Sequence, residues 1–491
     1  MGRELRASRN DDYGRSKQMS NLKAGKPDAV FALVDNLARV DYADLPAEAV
    51  NTTKLDILDC LGVAVAATTT DIACKKIVDL VTEIGGREES TIIGDGRKVP
   101  AHAAAFANAA LTHALNYDDY TDPLITHFGC VIFPAAFAMA ERVGKVTGKE
   151  FITTYTLGVD LAARLSRALL TKGEQRNWNL HGWLTTQLVG YFGAAAVAGR
   201  LQGLKADRLV HALGLAYSQV AGNKQVLVGV GADKGIYPAY PAHSGVLAAM
   251  MAHKGIAGPQ ESLEGQNGLY NVFFQGLYDP AALTKDLGRS FEGSAFYIYP
   301  CCGFTHSRIE LVLKMIEEHK FRPDDIESIT VFVGPISRLL CEPQEVRRNP
   351  RLTAEAQYSL PFTVATAIAK GKPRIEHFTG EGIRDPEILS VSNKVGYRMD
   401  DAYDLKYGTG HCPAKMEIKL KNGRTLFGEQ GGGRYGHPER PVSKADLTEK
   451  FRECVAYSAR PLSAATVDRI IAMVDNLEDV DDVSQIIRLV S

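Results

Sequence analysis

The sequence predicts a mainly α-helical protein, in which one large helical domain carries a smaller inserted α+β domain. Apolar residues recur at helical spacing from Asp28 to about residue 290, alternate as in strands between about residues 325 and 430, and return to helical spacing after Pro441. The helical domain would then use both ends of the chain. We expect a disordered tail at 1–25, the helical domain at 26–292, the α+β domain at 293–437 and the rest of the helical domain at 438–491.

The helices of the first part are predicted from their apolar stripes. Val30, Phe31, Val34 and Leu37 form one stripe, and a second helix is predicted to begin after Pro46. Further along, runs such as GYFGAAAVAGRLQGL are apolar on every face. Such runs indicate buried helices whose small residues allow close approach of their neighbours.

The inserted unit mixes both periodicities. HSRIELVLKMIEEHK predicts an amphipathic helix and DDIESITVFVG a strand. AKMEIKLKNGRTLFGEQ alternates around Asn422-Gly423, which is a strong signal for a hairpin turn. After Pro441, Ser443 and Ser463 are each expected to cap a helix.

Composition excludes several classes of function. Hydrophobic residues make up 45% and charged residues 23% of the 491 residues, with a net charge of -2, so nucleic acid and anionic membranes are not expected partners. No apolar run reaches the ~18 residues of a membrane helix, and the longest, CVIFPAAFAMA, contains Pro134. The eight cysteines have no C-x-x-C spacing, and the N-terminus has no apolar signal segment. We therefore expect reduced thiols and a cytoplasmic location.

The segment NYDDYTDPLITHFG concentrates acid–base groups directly after a smooth, Ala-rich helix. Asp118, Asp119 and His127 could form a metal site, a proton-transfer site or a polar helix end. No HExxH, paired cysteines or EF-hand spacing accompanies them, so we expect no metal.

Other chemical signals are weaker. The glycines of GGGRYG fit G-x-G-x-x-G, but the proline-broken HPERPVS follows them, so we interpret the segment as a loop. Cys302 precedes His306 by one helical turn, although lone cysteines are mostly buried and inert. Lys234 lies among glycines that would allow a substrate carboxylate to approach closely.

Several stretches, in collinear order from about residue 30 to 475, resemble the MmgE/PrpD family. They are STIIGDGRKVPAHAAAFANAALTHALNYDDY, HGWLTTQLVGYFGAAAVAGRLQGL, KGIYPAYPAHSGVLAAMMAHKGIAGP, YPCCGFTH, AQYSLPFTVATAIAKGK, PAKMEIKLKNGRTLFGE and PVSKADLTEKF. The resemblance implies a helical domain completed by the C-terminus, an α+β lid, a homodimer and an active site between the domains. Family members act on small di- and tricarboxylates without a metal or organic cofactor.

The resemblance also implies site residues. Asp118, Asp119 and His127 match the D-D…H stretch, Lys234 matches the lysine of M-T-K-R-L-H, and His306 matches the histidine after Y-P-C-C. We expect His127 to be the acid–base group, Lys234 and His306 to stabilise anions, and the two aspartates to orient them.

Six further positions are expected to contact substrate, and most depart from the family pattern. Leu184 stands where the family has a histidine, with His181 three residues earlier, so either could fill that role. The other departures are Asn116 for an aspartate, Tyr120 for a threonine, Tyr297 for a lysine and Phe362 for a tyrosine.

Three functions stay open on this basis. The first is a cofactor-independent lyase similar to 2-methylcitrate dehydratase, which removes a proton next to a carboxylate. The second is an isomerase or decarboxylase similar to iminodisuccinate epimerase or cis-aconitate decarboxylase. The third is a scaffold that binds a metabolite without turnover.

Overall fold

The computed structural model describes residues 27–121, 126–170, 182–227, 234–291, 293–400 and 412–491. The tail predicted at 1–25 lies outside these ranges. The described residues are mainly α-helical with only small sheets, which confirms the predicted fold class.

The first part of the chain is a series of helices interrupted by one short hairpin, β1 (Ser90–Thr91) with β2 (Lys98–Val99). The helices are α1 (Ala29–Arg39), α2 (Ala47–Thr70), α3 (Ile72–Ile84), α4 (Ala101–His113), α5 (Gly129–Val143), α6 (Gly148–Arg167), α7 (Thr185–Leu201), α8 (Ala206–Tyr217), α9 (Ala239–His253), α10 (Leu269–Phe274) and α11 (Pro280–Thr284).

The second part contains helices and a four-stranded sheet, and three helices end the chain. The helices of the second part are α12 (Gly303–His319), α13 (Pro335–Arg338), α14 (Gln344–Arg348), α15 (Thr353–Gln357), α16 (Leu360–Lys370) and α17 (Pro386–Ser392). The strands are β3 (Ile326–Val333), β4 (Val395–Met399), β5 (Ala414–Leu420) and β6 (Thr425–Gln430). The last helices are α18 (Lys444–Val455), α19 (Ala464–Asp475) and α20 (Ser484–Leu489).

Local signals account for most helix boundaries. Ser443 and Ser463 cap α18 and α19 as predicted, each accepting a backbone N–H three residues later. Two details differ from expectation. Phe31 is 39% exposed and lies off the buried stripe of α1. Helix α5 continues through Pro134, because its buried packing outweighs the single backbone hydrogen bond that proline removes.

The sheet has the strand order β4-β3-β5-β6. Strands β3 and β4 are parallel, whereas β3–β5 and β5–β6 are antiparallel. The predicted hairpin joins β5 to β6, and Gly423 takes a left-handed φ of 85° in its turn. Helices α12 and α16 pack on this sheet.

The buried apolar side chains fall into three clusters. The first contains residues of α1–α11 together with residues 451–490, and the second lies between residues 296 and 447. The third is small and includes Tyr117, Tyr120, Ala295 and Tyr297, with contributions from α2 and α18. We call this third cluster the seam, because its members come from chain segments that also contribute to the first or the second core.

No single helix among the described residues is long and apolar enough to cross a membrane. Helices α2 and α3 pass that test of length and composition only as a pair, and they meet at a bend of 93°.

Candidate active site

The described residues of the acid–base segment, 116–121 and 126–128, are buried between α4 and α5. Asn116 turns the chain after α4 with a left-handed φ of 48°, a conformation that asparagine tolerates better than most residues. Asp118 and Asp119 follow it and are fully buried. The two side chains have different surroundings, since Asp118 contacts His113 and Asp119 contacts Ser294.

Asp118 lies between two histidines. His113, at the end of α4, places Nδ1 3.0 and 2.9 Å from the two carboxylate oxygens of Asp118. His127 Nδ1 lies 3.4 Å from Asp118 Oδ2 and 2.6 Å from the backbone oxygen of Asp119. The two imidazole rings meet edge to face, with centroids 5.0 Å apart. We call these three residues the histidine cluster.

The hydrogen bonds determine which nitrogen of His127 is available. A carbonyl oxygen only accepts, so the contact with Asp119 requires a proton on His127 Nδ1. Nε2 then carries the lone pair of the neutral ring. The Asp118 carboxylate likewise requires a proton on His113 Nδ1. The buried Nε2 of His113 has no hydrogen-bond partner among the described residues. In the neutral form of both histidines, Nε2 is therefore the nitrogen without a proton.

The cluster makes Asp118 a stable anion. Burial by itself would raise the pKa of the Asp118 carboxyl, but His113 and His127 outweigh it and hold that pKa well below its usual range. A permanent carboxylate therefore lies within reach of both imidazole rings.

Asp119 has the opposite environment. Ser294 Oγ lies 2.7 Å from Asp119 Oδ2 and 2.8 Å from Asp56 Oδ2, so the hydroxyl joins two buried carboxyl groups. Burial, and then the neighbouring acids, raises the pKa of Asp119 well above its usual range. Burial also raises the pKa of Asp56, to about 7. We call Asp56, Ser294 and Asp119 the acid pair with its bridging serine.

Aromatic rings and one arginine form the next wall of the site. The Tyr297 ring lies 5.5 Å from that of His127 and 4.6 Å from that of His306. The fully buried guanidinium of Arg434 stacks 4.1 Å above the Tyr120 ring and 5.5 Å from the Tyr297 ring. Arg434 therefore brings positive charge to the Tyr120 and Tyr297 rings, and the Tyr297 ring in turn contacts that of His127.

His306 is buried and neutral. Its Nε2–H donates to the carbonyl of Cys301 at 3.0 Å, so Nδ1 can only accept. Burial, assisted by the charge of Arg434, lowers the pKa of His306 to about 3. An accepting, uncharged nitrogen suits a hydroxyl or another donor, so this arrangement does not support the predicted role of His306 as an anion stabiliser.

One buried lysine contacts three separate segments of the site. Lys450 of α18 lies 2.6 Å from Asp59 and donates to the backbone carbonyl of Tyr297 at 2.8 Å and to that of Tyr117. Burial raises the pKa of Asp59 to about 6, against the opposing charge of Lys450.

The structure brings together most of the predicted site residues. Asn116 lies at the same loop, and its Oδ1 accepts from the Tyr358 hydroxyl at 3.3 Å. Leu184 is buried and precedes α7, whose Thr186 accepts the backbone N–H of His127 at 3.0 Å. Phe362 lies apart, in the second core, with its ring 6.0 Å from that of Phe378. His181 and the side chain of Lys234 lie outside what the structure describes.

The main omissions of the sequence analysis are His113 and Arg434. His113 lies at the end of the smooth, Ala-rich helix that precedes the acid–base segment. Its position five residues before Asp118 is the local signal for their contact. Arg434 lies in the Gly-rich segment that was interpreted only as a loop. The segment is indeed a loop, yet it delivers a buried cation to the site.

Among the described residues, two groups of side chains bring possible metal ligands within 4.8 Å of one another: His113, Asp118 and His127, and Asp56, Cys60 and Asp119. Hydrogen bonds already account for the first group, because both carboxylate oxygens of Asp118 accept from His113. In the second group, Ser294 joins the carboxyl groups, and Cys60 donates to Asp56 at 3.5 Å. We therefore describe both groups as hydrogen-bonded clusters.

A cavity of about 390 Å³ opens behind the site. Its lining includes Thr52, Thr121, Ser294, Phe296 and His437. Ala295, which also lines the cavity, pairs with Tyr120 by backbone hydrogen bonds. Ser294 belongs both to the acid pair and to the cavity lining, whereas the described lining includes no residue of the histidine cluster.

Fold and site together define a mainly helical protein with an additional α+β unit and a buried, histidine-rich acid–base cluster at the seam. The model for the MmgE/PrpD N-terminal domain matches residues 32–280, and that for the MmgE/PrpD C-terminal domain matches residues 299–479. The chain belongs to the MmgE/PrpD family.

Curated relatives cover nearly the whole chain at low identity. A cis-aconitate decarboxylase of Homo sapiens is 26% identical over 458 residues, which is 88% of this chain and 88% of that protein. Its counterpart in Mus musculus is 25% identical over 89% of this chain and 88% of its own. A cis-aconitate decarboxylase of Aspergillus terreus is 23% identical over 95% of this chain and 97% of its own.

Proposed function

We propose that the chain is a lyase that acts on a small di- or tricarboxylate, with decarboxylation of an unsaturated tricarboxylate as the leading reaction. The observation that carries the proposal is the pair of histidines sharing the permanent carboxylate of Asp118, with the buried cation Arg434 on the adjoining aromatic wall. The relatives named as cis-aconitate decarboxylases favour this reaction over the dehydration first expected.

Decarboxylation needs a proton donor and a place for negative charge. When the bond to the carboxylate carbon breaks, carbon dioxide leaves and the electron pair stays on the substrate, which then takes up one proton. His127, entering this step as an imidazolium, supplies that proton from Nε2, while its Nδ1–H stays bound to the Asp119 carbonyl and the Asp118 carboxylate provides the counter-charge. The same nitrogen, starting neutral, would remove a proton in a dehydration.

Arg434 is the proposed anchor for a remaining substrate carboxylate. Guanidinium and carboxylate form two parallel hydrogen bonds when they meet in one plane, and burial strengthens that contact. Tyr120 and Tyr297 hold the guanidinium by stacking on it, so it needs little reorganisation when substrate binds. Arg434 thus takes the anion-stabilising role that the sequence analysis gave to His306.

The test is a substrate panel with purified protein. Cis-aconitate, 2-methylcitrate, citrate and iminodisuccinate are incubated in deuterated water, and carbon dioxide release, loss of water and deuterium uptake are followed. Carbon dioxide release with one deuterium in the product supports the decarboxylase. Loss of water without carbon dioxide would support a dehydratase, and exchange alone an epimerase.

A binding scaffold gives a different result in the same experiment. A ligand-induced rise in melting temperature without turnover of any compound would reject the lyase. We also propose that the reaction needs no cofactor, which activity after exhaustive chelation and dialysis would support. A homodimer is part of the proposal, and sedimentation of the purified protein tests it.

A further inference from the structure

The acid pair with its bridging serine has a proton count that the hydrogen bonds determine. Ser294 Oγ is within hydrogen-bonding distance of Asp56 Oδ2 and of Asp119 Oδ2, at 2.8 and 2.7 Å. A hydroxyl has one proton to donate, and an ionised carboxylate can only accept. With both acids ionised, one of these two contacts would place two acceptors against each other. One carboxyl must therefore hold a proton and donate it to the serine.

The surroundings give the same count. Asp56 and Asp119 are 1% and 0% exposed, and burial raises the pKa of both carboxyl groups. Cys60 and Tyr155 lie beside them, and burial raises the pKa of both, so they stay neutral. Asp118 and Asp59 are acids with basic partners of their own. The pair therefore has no counter-charge for a second negative charge.

Asp119 connects this pair to the histidine that we propose as the proton donor. Its second carboxyl oxygen, Oδ1, accepts the backbone N–H of Gly129 at 2.9 Å, at the start of α5. A Cβ at position 129 would lie 2.3 Å from that oxygen, so glycine is required for this approach. The backbone oxygen of Asp119 holds His127 Nδ1 at 2.6 Å. Fixing Asp119 therefore fixes the orientation and the tautomer of His127.

We propose that Asp56, Ser294 and Asp119 form a clamp that shares one proton and acts as a set of positioning residues for His127. Asp56 belongs to α2, Asp119 to the loop before α5, and Ser294 to the segment that enters the second core. The clamp thus joins three segments at the seam. The test has a spectroscopic arm and a kinetic arm, and only the kinetic arm rests on the proposed function.

The first arm is infrared spectroscopy of the purified full chain at neutral pH, without substrate. Wild type should show the carbonyl stretch of a protonated, buried carboxylic acid. Either Asp56→Asn or Asp119→Asn should remove the same band, since the new amide donates to Ser294 and leaves the other carboxyl ionised. Asp28→Asn changes a buried aspartate that caps the first helix, α1, and should leave the band unchanged.

A wild-type spectrum without the band would overturn the shared proton, and so would a band that survives in either variant. If Asp119→Asn does not fold, as judged by circular dichroism, Asp56→Asn against Asp28→Asn decides alone. Because this arm uses no substrate, its result stands even when no compound in the panel is turned over.

The second arm separates positioning from packing. Asp56→Asn keeps a donor for Ser294, whereas Asp56→Leu has nearly the same size and none. We expect Asp56→Asn to keep a kcat near wild type, and Asp56→Leu to lose about ten- to a hundredfold in kcat with little change in KM, because misplacing a reacting group by about 1 Å costs this much. Ser294→Ala should behave as Asp56→Leu does. Equal kcat for the Asn and Leu variants, both folded, would contradict the clamp.

Discussion

Two neighbouring carboxyl groups, Asp118 and Asp119, sit in opposite electrostatic environments. Asp118 faces two imidazoles, which hold its pKa low, whereas Asp119 faces Asp56 across a serine, and its pKa is raised. One peptide bond separates a permanent anion from an acid that shares a proton. The difference comes from the partners alone, since burial acts on both in the same direction.

The comparison shows how one loop can serve two purposes. On our proposal, the Asp118 side provides a counter-charge for histidines that exchange protons, and the Asp119 side holds the loop in place. Pairs of acids whose environments push their pKa values apart commonly divide their roles in this way. Substitutions on each side should therefore differ in kind as well as in size.

The largest effect is expected where the histidine side is broken directly. His127→Ala removes the proposed proton donor, so kcat should fall by about 10²–10⁴-fold. The fold should persist, because backbone contacts hold this loop: the N–H of His127 donates to Thr186, and that of Gly129 donates to Asp119. Turnover of the best substrate in the panel measures the loss. His253→Ala, at an exposed histidine near the end of α9, is the control and should match wild type. Near wild-type activity of His127→Ala would place the chemistry elsewhere.

Asp118→Asn sharpens the comparison by removing charge while keeping size. Without the carboxylate, neither imidazole has a counter-charge, and kcat should fall by about 10²-fold or more. Asp71→Asn is a matched control, because Asp71 caps α3 and asparagine caps helices equally well. A kcat within a few-fold of wild type in Asp118→Asn would show that the anion is not needed for the reaction.

Arg434→Met tests the buried cation that stacks on Tyr120 and Tyr297. Loss of a charge-assisted contact of about 1.5–3 kcal/mol should raise KM for a polycarboxylate by roughly 10–100-fold, with a smaller change in kcat. Arg440→Met changes an arginine of the same loop that pairs with Glu310 near the surface, and should leave KM unchanged. If the two variants have the same KM, substrate does not bind at Arg434.

The smallest effect is expected in how the stability of the protein depends on pH, where the two sides of the loop contrast most directly. Asp56 has a raised pKa of about 7 against an ordinary value of 3.8, so its contribution is favourable in acid and is lost as the pH rises through 7. Asp56→Asn should therefore gain melting temperature relative to wild type between about pH 4 and pH 8.

Asp118 has the opposite sign. Its lowered pKa makes its contribution favourable above 3.8 and lost only in acid, so Asp118→Asn should be most destabilised near neutral pH. Melting curves of the two variants across the same buffers provide the comparison. Parallel curves would show that the two carboxyl groups do not differ as described.

Much of the fold could be predicted from local signals. Ser443, Ser463 and Asn422-Gly423 each act within a few residues, so the sequence displays their effect directly. The site was predictable only in part. His127 and Asp118 stand out because they interrupt an apolar stretch, whereas the partners of Asp119 come from distant parts of the chain. Ser294 is 175 residues away and has no local signature of its contact.

The contact of Lys450 has a consequence for how the protein is made. Lys450 binds Asp59 and the backbone of Tyr117 and Tyr297, so the seam needs a residue that the ribosome adds late. During translation, Asp59, Tyr117 and Tyr297 all emerge before the buried cation that neutralises Asp59. Nascent chains should therefore carry an incomplete seam until α18 has been synthesised, and catalytic competence should appear only after that.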